Sequence, residues 1–113
     1  MEQIYHITPH TAWRDALTRG AYSGDTLATE GFIHCSTGGQ IDGTLRRYFI
    51  GRTDLVLLQI QTASLGAALV FEPAHGELYP HLYAPLPLSA VTAVYHLVPA
   101  SDGSFARSPL TAS

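Results

Sequence analysis

Alternating apolar and polar side chains predict most of the β-strands of this chain. The segment QIYHI, Gln3 to Ile7, alternates and carries aromatic and β-branched residues, which is typical of a strand, and GFIHC, Gly31 to Cys35, predicts a second one. DLVLLQIQ, Asp54 to Gln61, is almost entirely apolar in its first half, as expected of a central strand buried on both faces. ALVFEP, Ala68 to Pro73, is predicted to pair with it as a hairpin, and AVTAVYHLV, Ala90 to Val98, supplies the last strand.

The first helix is predicted directly after the first strand. Thr8 has the character of an N-cap and Pro9 that of a first helical residue, so the helix is expected from His10 to Arg19, with a stop at Gly20. Four residues form its predicted apolar face: Ala12, Trp13, Ala16 and Leu17. The next segment, residues 21–30, has turn chemistry and no period, which predicts a loop.

A second helix is predicted from about Gln40 to Phe49, ending near Gly51. Its apolar residues recur at a spacing of four: Ile41, Leu45 and Phe49. Residues 99–113 are rich in Ser, Ala and Pro, which predicts a loosely packed tail. Two helices among mostly strands predict an α+β fold with a largely antiparallel sheet, and the length of 113 residues predicts a single domain over 1–113.

Composition narrows the range of partners. Charged residues make up only 13% of the chain, and the net charge of -3 comes from nine acids against six arginines, without lysine. A chain of this kind lacks the broad basic surface that binds nucleic acid, whereas a few arginines still allow a small phosphorylated ligand. The uncharged surface also favours association, which leaves a homo-oligomer open.

Several other classes of protein are disfavoured by what the sequence lacks. No apolar run approaches the ~20 residues that span a bilayer, and the first residues do not resemble a signal peptide, so we expect no membrane partner and a cytoplasmic location. The single cysteine, Cys35, excludes an internal disulfide and a multi-cysteine zinc site. His6 and His10 have the spacing of a helical metal pair, but Pro9 separates them, so we expect no metal.

The stretch EGFIHCST, residues 30–37, is the first candidate site. On a strand, Cys35 points away from His34 and Ser36, so the thiol and the imidazole cannot form a nucleophile and its base. A free cysteine in such a strand is typically a small core residue. His34 and Ser36 share a face. Ser36 either meets an anion at the start of the following helix or simply caps that helix.

The stretch FEPAHGELYPHLY, residues 71–83, is the second candidate site. Glu72 ends an apolar strand, where a carboxylate needs water, a hydrogen bond or a partner. His81 and Tyr83 share a face if the segment is extended. His75 and Glu77 are expected in a solvated loop.

Taken in order, the blocks IYHIT, LATEGFIHCS, DLVLLQI, a later Glu-Pro and YPHLYAPL resemble the bacterial family known as domain of unknown function 952. The resemblance runs from Ile4 to about Phe105. The family usually has Phe-Pro-His and Tyr-Gly-Pro where this chain has YPH and YAP, and neither departure removes a polar group.

The resemblance implies an ADP-ribosylation-like fold, a mostly antiparallel split sheet with two main helices and a polar cleft that holds NAD in active relatives. It also implies that the chain acts on NAD or a related phosphorylated nucleotide, as a transferase or glycohydrolase. The positions that match the family's polar blocks are His6, His34, Ser36, Glu72, His81 and Tyr83.

We assign roles to these positions as hypotheses. Glu72, His34 and His81 are the catalytic candidates, because breaking the bond between nicotinamide and ribose leaves positive charge on the sugar, which a carboxylate stabilises. His6 or His34 would hold a ribose hydroxyl or a phosphate, and Tyr83 would stack on the nicotinamide ring. Ser36 would meet an anionic group of the ligand, and Arg52 would meet the pyrophosphate. Two alternatives remain: a noncatalytic module that binds a nucleotide or an anion, and a subunit that acts through protein contacts.

Overall fold

The computed structural model describes residues 3–110, in which three α-helices alternate with the first strands and six further strands follow the last helix. The strands are β1 (Gln3–Pro9), β2 (Ala21–Tyr22), β3 (Ile33–His34), β4 (Leu55–Gln61), β5 (Leu69–Ala74), β6 (Glu77–Leu82), β7 (Leu86–Pro87), β8 (Val91–Pro99) and β9 (Phe105–Pro109). The helices are α1 (His10–Arg19), α2 (Thr26–Glu30) and α3 (Ile41–Tyr48). No helix among these residues is long and apolar enough to cross a membrane.

The strands form three antiparallel sheets. The four-stranded sheet has the order β1-β4-β8-β9, the three-stranded sheet has the order β3-β6-β5, and β2 pairs with β7. A bridge between Tyr5 and Ser36 joins the first two sheets through backbone hydrogen bonds of 2.7 Å. The chain is therefore a sheet-dominated α+β protein with few helices, as the sequence predicts.

Strand β4 is the centre of the core. Its residues Leu55 to Leu58 are 0% exposed, and alternation sends them to two apolar clusters on opposite faces of the sheet. One cluster contains Trp13 and Ala16 of α1, and the other contains Ile41 and Leu45 of α3. The prediction of a strand buried on both faces is confirmed, because α1 and α3 cover opposite sides of it.

Several local predictions differ from the structure, among them the loop expected over residues 21–30, which contains β2 and α2, and the loop expected at Glu77, which begins β6. The predicted hairpin between β4 and β5 is wrong, because β5 pairs with β6 while β4 lies between β1 and β8. A long, apolar strand in the centre of a sheet recruits partners that are distant in sequence, whereas β5 and β6 are joined by the two-residue turn His75-Gly76, in which both residues have positive φ. The tail is partly ordered, since β9 pairs with β8; residues 111–113 lie outside the described residues.

The start of α1 also differs. Thr8 is not its N-cap, because β1 continues through Pro9 and the Thr8 hydroxyl bonds the Tyr22 hydroxyl instead. The helix still ends at Gly20, whose φ of 92° suits glycine. Leu17 is 52% exposed rather than part of the buried face.

Candidate functional site

Strand pairing brings the two sequence blocks together. His34 of β3 lies directly opposite His81 of β6, and their rings meet edge to face with centroids 5.4 Å apart. On the other side of β6, strand β5 contributes Glu72. His34, which is far from Glu72 and His81 in the sequence, therefore lies on the same small sheet as both of them.

Glu72 holds two of its neighbours through a single oxygen. Its Oε1 accepts a hydrogen bond of 2.7 Å from Nδ1 of His81 and one of 2.5 Å from the hydroxyl of Tyr83. These two donors stabilise the carboxylate and keep the pKa of Glu72 below its ordinary value. The hydrogen bond from Tyr83 to Glu72 also raises the pKa of Tyr83. Glu72 is thus ionised at neutral pH and fixed at the edge of the sheet.

The carboxylates also define the histidine tautomers. An ionised carboxylate only accepts hydrogen bonds, so Nδ1 of His81 carries a proton, and in the neutral ring Nε2 holds the free lone pair. Nε2 of His34 lies 3.0 Å from Oε1 of Glu30, which leaves Nδ1 of His34 with the lone pair in its neutral form. Each ring is oriented by a carboxylate on one nitrogen and has the other nitrogen available for chemistry.

Phe32 connects the members of this site. Its ring stacks on His81 with a centroid distance of 4.1 Å and an interplanar angle of 22°. It also lies 4.6 Å from the ring of His34 and 5.1 Å from that of Tyr83. We call Phe32, His34, Glu72, His81 and Tyr83 the aromatic-carboxylate cluster. The side chain of His81 is 9% exposed and that of Glu72 37%, so the cluster has a packed interior and an accessible carboxylate.

His6 supports the cluster from behind. Its Nδ1 donates to the backbone oxygen of His34 at 2.5 Å, and its Nε2 accepts from the hydroxyl of Tyr22 at 2.8 Å. Tyr22 in turn accepts from Thr8 at 2.8 Å. Burial lowers the pKa of His6 to about 4, so the ring is neutral, as this pattern of donors and acceptors requires. Both nitrogens already have protein partners, so the predicted contact of His6 with a ligand stays a prediction.

Ser36 and Arg52 lie apart from the cluster. The Ser36 side chain is 4% exposed, and its hydroxyl bonds the hydroxyl of Thr44 at 3.1 Å. Arg52 makes a bidentate pair with Asp54, with hydrogen bonds of 2.9 and 2.8 Å, and these bonds lower the pKa of that carboxyl. Their predicted ligand contacts remain untested.

Cys35 and the helix that follows it have structural roles. Cys35 is 3% exposed, and burial raises the pKa of its thiol to about 12, which agrees with a core residue. Ser36 is not the cap of the next helical segment. Instead the backbone amide of Thr37 donates to Oε1 of Gln40, closing the 3-10 turn that leads into α3.

Sequence reasoning missed Phe32, Glu30, Tyr22 and Thr8 as parts of the site. Glu30 precedes His34 by four residues, but α2 ends at Glu30, so helical spacing does not account for their contact. The only signal in the sequence for Phe32 was that it is an apolar residue on the same strand face as His34. Among residues 3–110, no three His, Cys, Asp or Glu side chains are arranged to hold a metal ion.

Comparisons with known proteins show the family of the chain and two solved structures with a similar fold. The sequence profile of the family described as "Protein of unknown function (DUF952)" matches residues 7–94. The crystal structure of protein CC0527 from Caulobacter crescentus is similar, with a TM-score of 0.86, 36% identity, and coverage of 92% of this chain and 93% of that one. Its solution NMR structure gives a TM-score of 0.80 and 37% identity, over 92% and 91% of the two chains. No curated protein matches.

Proposed function

The chain belongs to the family described as "Protein of unknown function (DUF952)", and from the geometry around Glu72 we propose that it acts on NAD or a related phosphorylated nucleotide. The finer fold assignment, an ADP-ribosyltransferase-like split sheet, is part of this proposal. It is supported by the division into separate antiparallel sheets that meet at the bridge between Tyr5 and Ser36. The reaction class is cleavage of the bond between nicotinamide and ribose.

The observation that carries the proposal is the fixed, ionised carboxylate of Glu72 beside aromatic rings. Cleavage of a glycosidic bond passes through a state with positive charge on the sugar, and a preorganised carboxylate stabilises that charge. The donors on Oε1 come from His81 and Tyr83, while Oε2 receives no hydrogen bond from the described residues and is available to the substrate. Tyr83 is 43% exposed, and Phe32 lies beside it, so a nicotinamide ring has an aromatic surface to stack on.

His81 adds acid-base chemistry to the carboxylate. When the bond to nicotinamide breaks, its electron pair leaves with the neutral ring, and an acceptor hydroxyl or water bonds to the sugar carbon. The proton released by that oxygen goes to Nε2 of His81, the nitrogen left free by the bond to Glu72. The arrangement of a base oriented by a carboxylate is the one that general-base catalysis uses.

The cluster offers the fewest contacts to the pyrophosphate of the ligand. Arg52 pairs with Asp54, and no arginine of the described residues forms an ion pair or ring contact with the cluster. The proposal therefore concerns recognition of the nicotinamide-ribose half of the nucleotide.

A noncatalytic binding module is the second candidate, and one observation favours it. Both donors meet the same oxygen of Glu72, so the carboxylate also acts as a structural link that holds the His81 and Tyr83 rings in place. A nucleotide could then be bound between the rings without being cleaved.

The experiment separates these two candidates by measuring binding and turnover in the same variants. Calorimetric titration with NAD and ADP-ribose gives binding, and release of nicotinamide from NAD gives turnover. Replacing Glu72 with Gln keeps the shape but removes the charge. We expect it to lower turnover by about 100-fold or more while changing the dissociation constant by less than about threefold.

Glu77→Gln is the matched control. Glu77 lies on β6, and its carboxylate accepts from Gln40 at 3.1 Å, an interaction that an amide oxygen preserves. This variant should keep both binding and turnover. If the unmodified protein binds NAD but releases no nicotinamide, the enzyme hypothesis is wrong and the binding module is supported. If it binds neither NAD nor ADP-ribose, both hypotheses are contradicted.

A further inference from the structure

A groove lies between α1 and the first half of β8, and none of its lining residues belongs to the aromatic-carboxylate cluster. Its volume is about 800 Å³, within the range of small-molecule sites. The groove is lined by apolar side chains that also pack against the main core: Trp13, Leu88, Val91, Val94 and Leu110. Trp13 is only 7% exposed, and Leu17 at the rim is 52% exposed. An alkyl chain in this groove would extend the core outward.

The charge of the groove is opposite to that of the whole protein. The lining includes Arg14 and His10 and no acidic residue, although the chain carries a net charge of -3. Asp15, the acid next to Arg14 in the sequence, is engaged by Arg19 at 3.0 Å. Within the described residues, the Arg14 guanidinium forms no ion pair and no hydrogen bond. A free guanidinium beside an apolar surface matches a ligand with an apolar body and a carboxylate head.

We propose that this groove binds a free aliphatic carboxylate, with the alkyl chain against Trp13 and Val91 and the carboxylate at Arg14. The two parts of the ligand contribute differently. Burial of the chain supplies most of the affinity, about fourfold for each methylene group, because each buried methylene contributes roughly 0.8 kcal/mol. The exposed pair with Arg14 supplies the selection for an anion and a smaller share of the affinity. The site is independent of the proposed function.

The single tryptophan of the chain makes this site directly measurable. Titration of the protein with decanoate should change the Trp13 fluorescence in a saturable way. Octanoate should bind on the order of tenfold more weakly than decanoate, since it is two methylene groups shorter. The neutral decanol should bind two- to fivefold more weakly than decanoate, and acetate should produce no saturable change.

Two variants test the charge, and one is a control. Arg14→Gln should weaken decanoate binding two- to fivefold and leave decanol unchanged. Leu17→Glu, at an exposed rim position that tolerates substitution, should weaken decanoate more than decanol because it adds a like charge. Arg47→Gln, on α3 and outside the groove lining, should leave both ligands unchanged. Thermal unfolding of each variant shows that it is folded before titration.

Three outcomes would overturn the proposal. The first is the absence of any saturable fluorescence change with decanoate. The second is equal affinity for decanoate and decanol, or an Arg14→Gln variant that behaves like Arg47→Gln. The third is a Trp13 signal that depends on protein concentration without ligand, which would assign the groove to a second copy of the chain.

Discussion

The four-stranded sheet and the three-stranded sheet use apolar residues in opposite ways. In β4, Leu55 to Leu58 are completely buried between α1 and α3. In the three-stranded sheet, the edge strand β5 exposes Val70 and Phe71, and its neighbour β6 exposes Leu78 at 56%. Among residues 3–110, no helix covers this edge in the way that α1 and α3 cover β4, so a polar side chain such as Glu72 is tolerated there. The four-stranded sheet therefore buries the whole central run of β4, whereas the three-stranded sheet contributes Ile33 and Leu82 to the core and exposes apolar side chains along β5.

A matched pair of leucine truncations gives the largest test of this contrast. Leu58→Ala removes a side chain that is 0% exposed, and we expect it to lower the free energy of unfolding by 2–5 kcal/mol, as cavity-forming changes do. Leu78→Ala should change it by less than about 0.5 kcal/mol. Denaturant unfolding monitored by Trp13 fluorescence measures both. Similar losses in the two variants would mean that the small sheet contributes to the core as much as the large one.

The second test concerns the point where the two sheets meet. His6 of β1 donates to the backbone of His34 in β3, and its pKa of about 4 lies below the value near 6.5 of an unfolded histidine. Between these values the unfolded chain binds more protons than the folded one, so stability is lost as the pH falls from about 6.5 to 4. For His6 this loss amounts to about 3 kcal/mol at pH 4.

Removing the histidine should flatten the pH dependence. The loss of unfolding free energy between pH 7 and pH 4 should be about 3 kcal/mol smaller in His6→Gln than in the parent protein, even if the variant is less stable at pH 7. His10→Gln is the control, because it removes a histidine that takes no part in the hydrogen bonds of His6 with His34 and Tyr22. Glu72 and Asp54 have lowered pKa values, so their contributions to stability are lost only below about pH 4.5. That pH range hardly overlaps with the range from 6.5 to 4 in which His6 acts. An unchanged slope in His6→Gln would show that His6 is not held neutral in the fold.

The smallest expected effect belongs to Arg52. Its bidentate bond with Asp54 joins two exposed side chains, and such pairs contribute little to stability because water and salt screen them. Arg52→Gln should therefore leave the denaturant midpoint of unfolding almost unchanged. NAD binding measured by calorimetry should also stay the same, because among the described residues Arg52 pairs with Asp54 and forms no hydrogen bond, ion pair or ring contact with the aromatic-carboxylate cluster. A large loss of NAD affinity in Arg52→Gln would mean that Arg52 contacts the nucleotide, and would contradict the prediction that it takes no part in NAD binding.

Local sequence patterns predicted β4 and the two helices that pack on its opposite faces. The apolar run of β4, the spacing of Ile41 and Leu45 in α3 and the glycine after α1 each specify a local structure that burial then reinforces. The elements predicted poorly were short or depended on distant partners. Strand β3 has only two residues, and β9 exists because β8 offers an open edge to it.

The candidate site shows the same division. The sequence identified Glu72, His34, His81 and Tyr83 as polar groups in apolar surroundings, and it determined which of them share a strand face, because side chains alternate along a strand. It could not determine strand order, since pairing between segments far apart depends on how the whole chain packs. Only the tertiary structure placed His34 opposite His81 and packed Phe32 against both rings. It also gave Ser36 and Arg52 partners of their own.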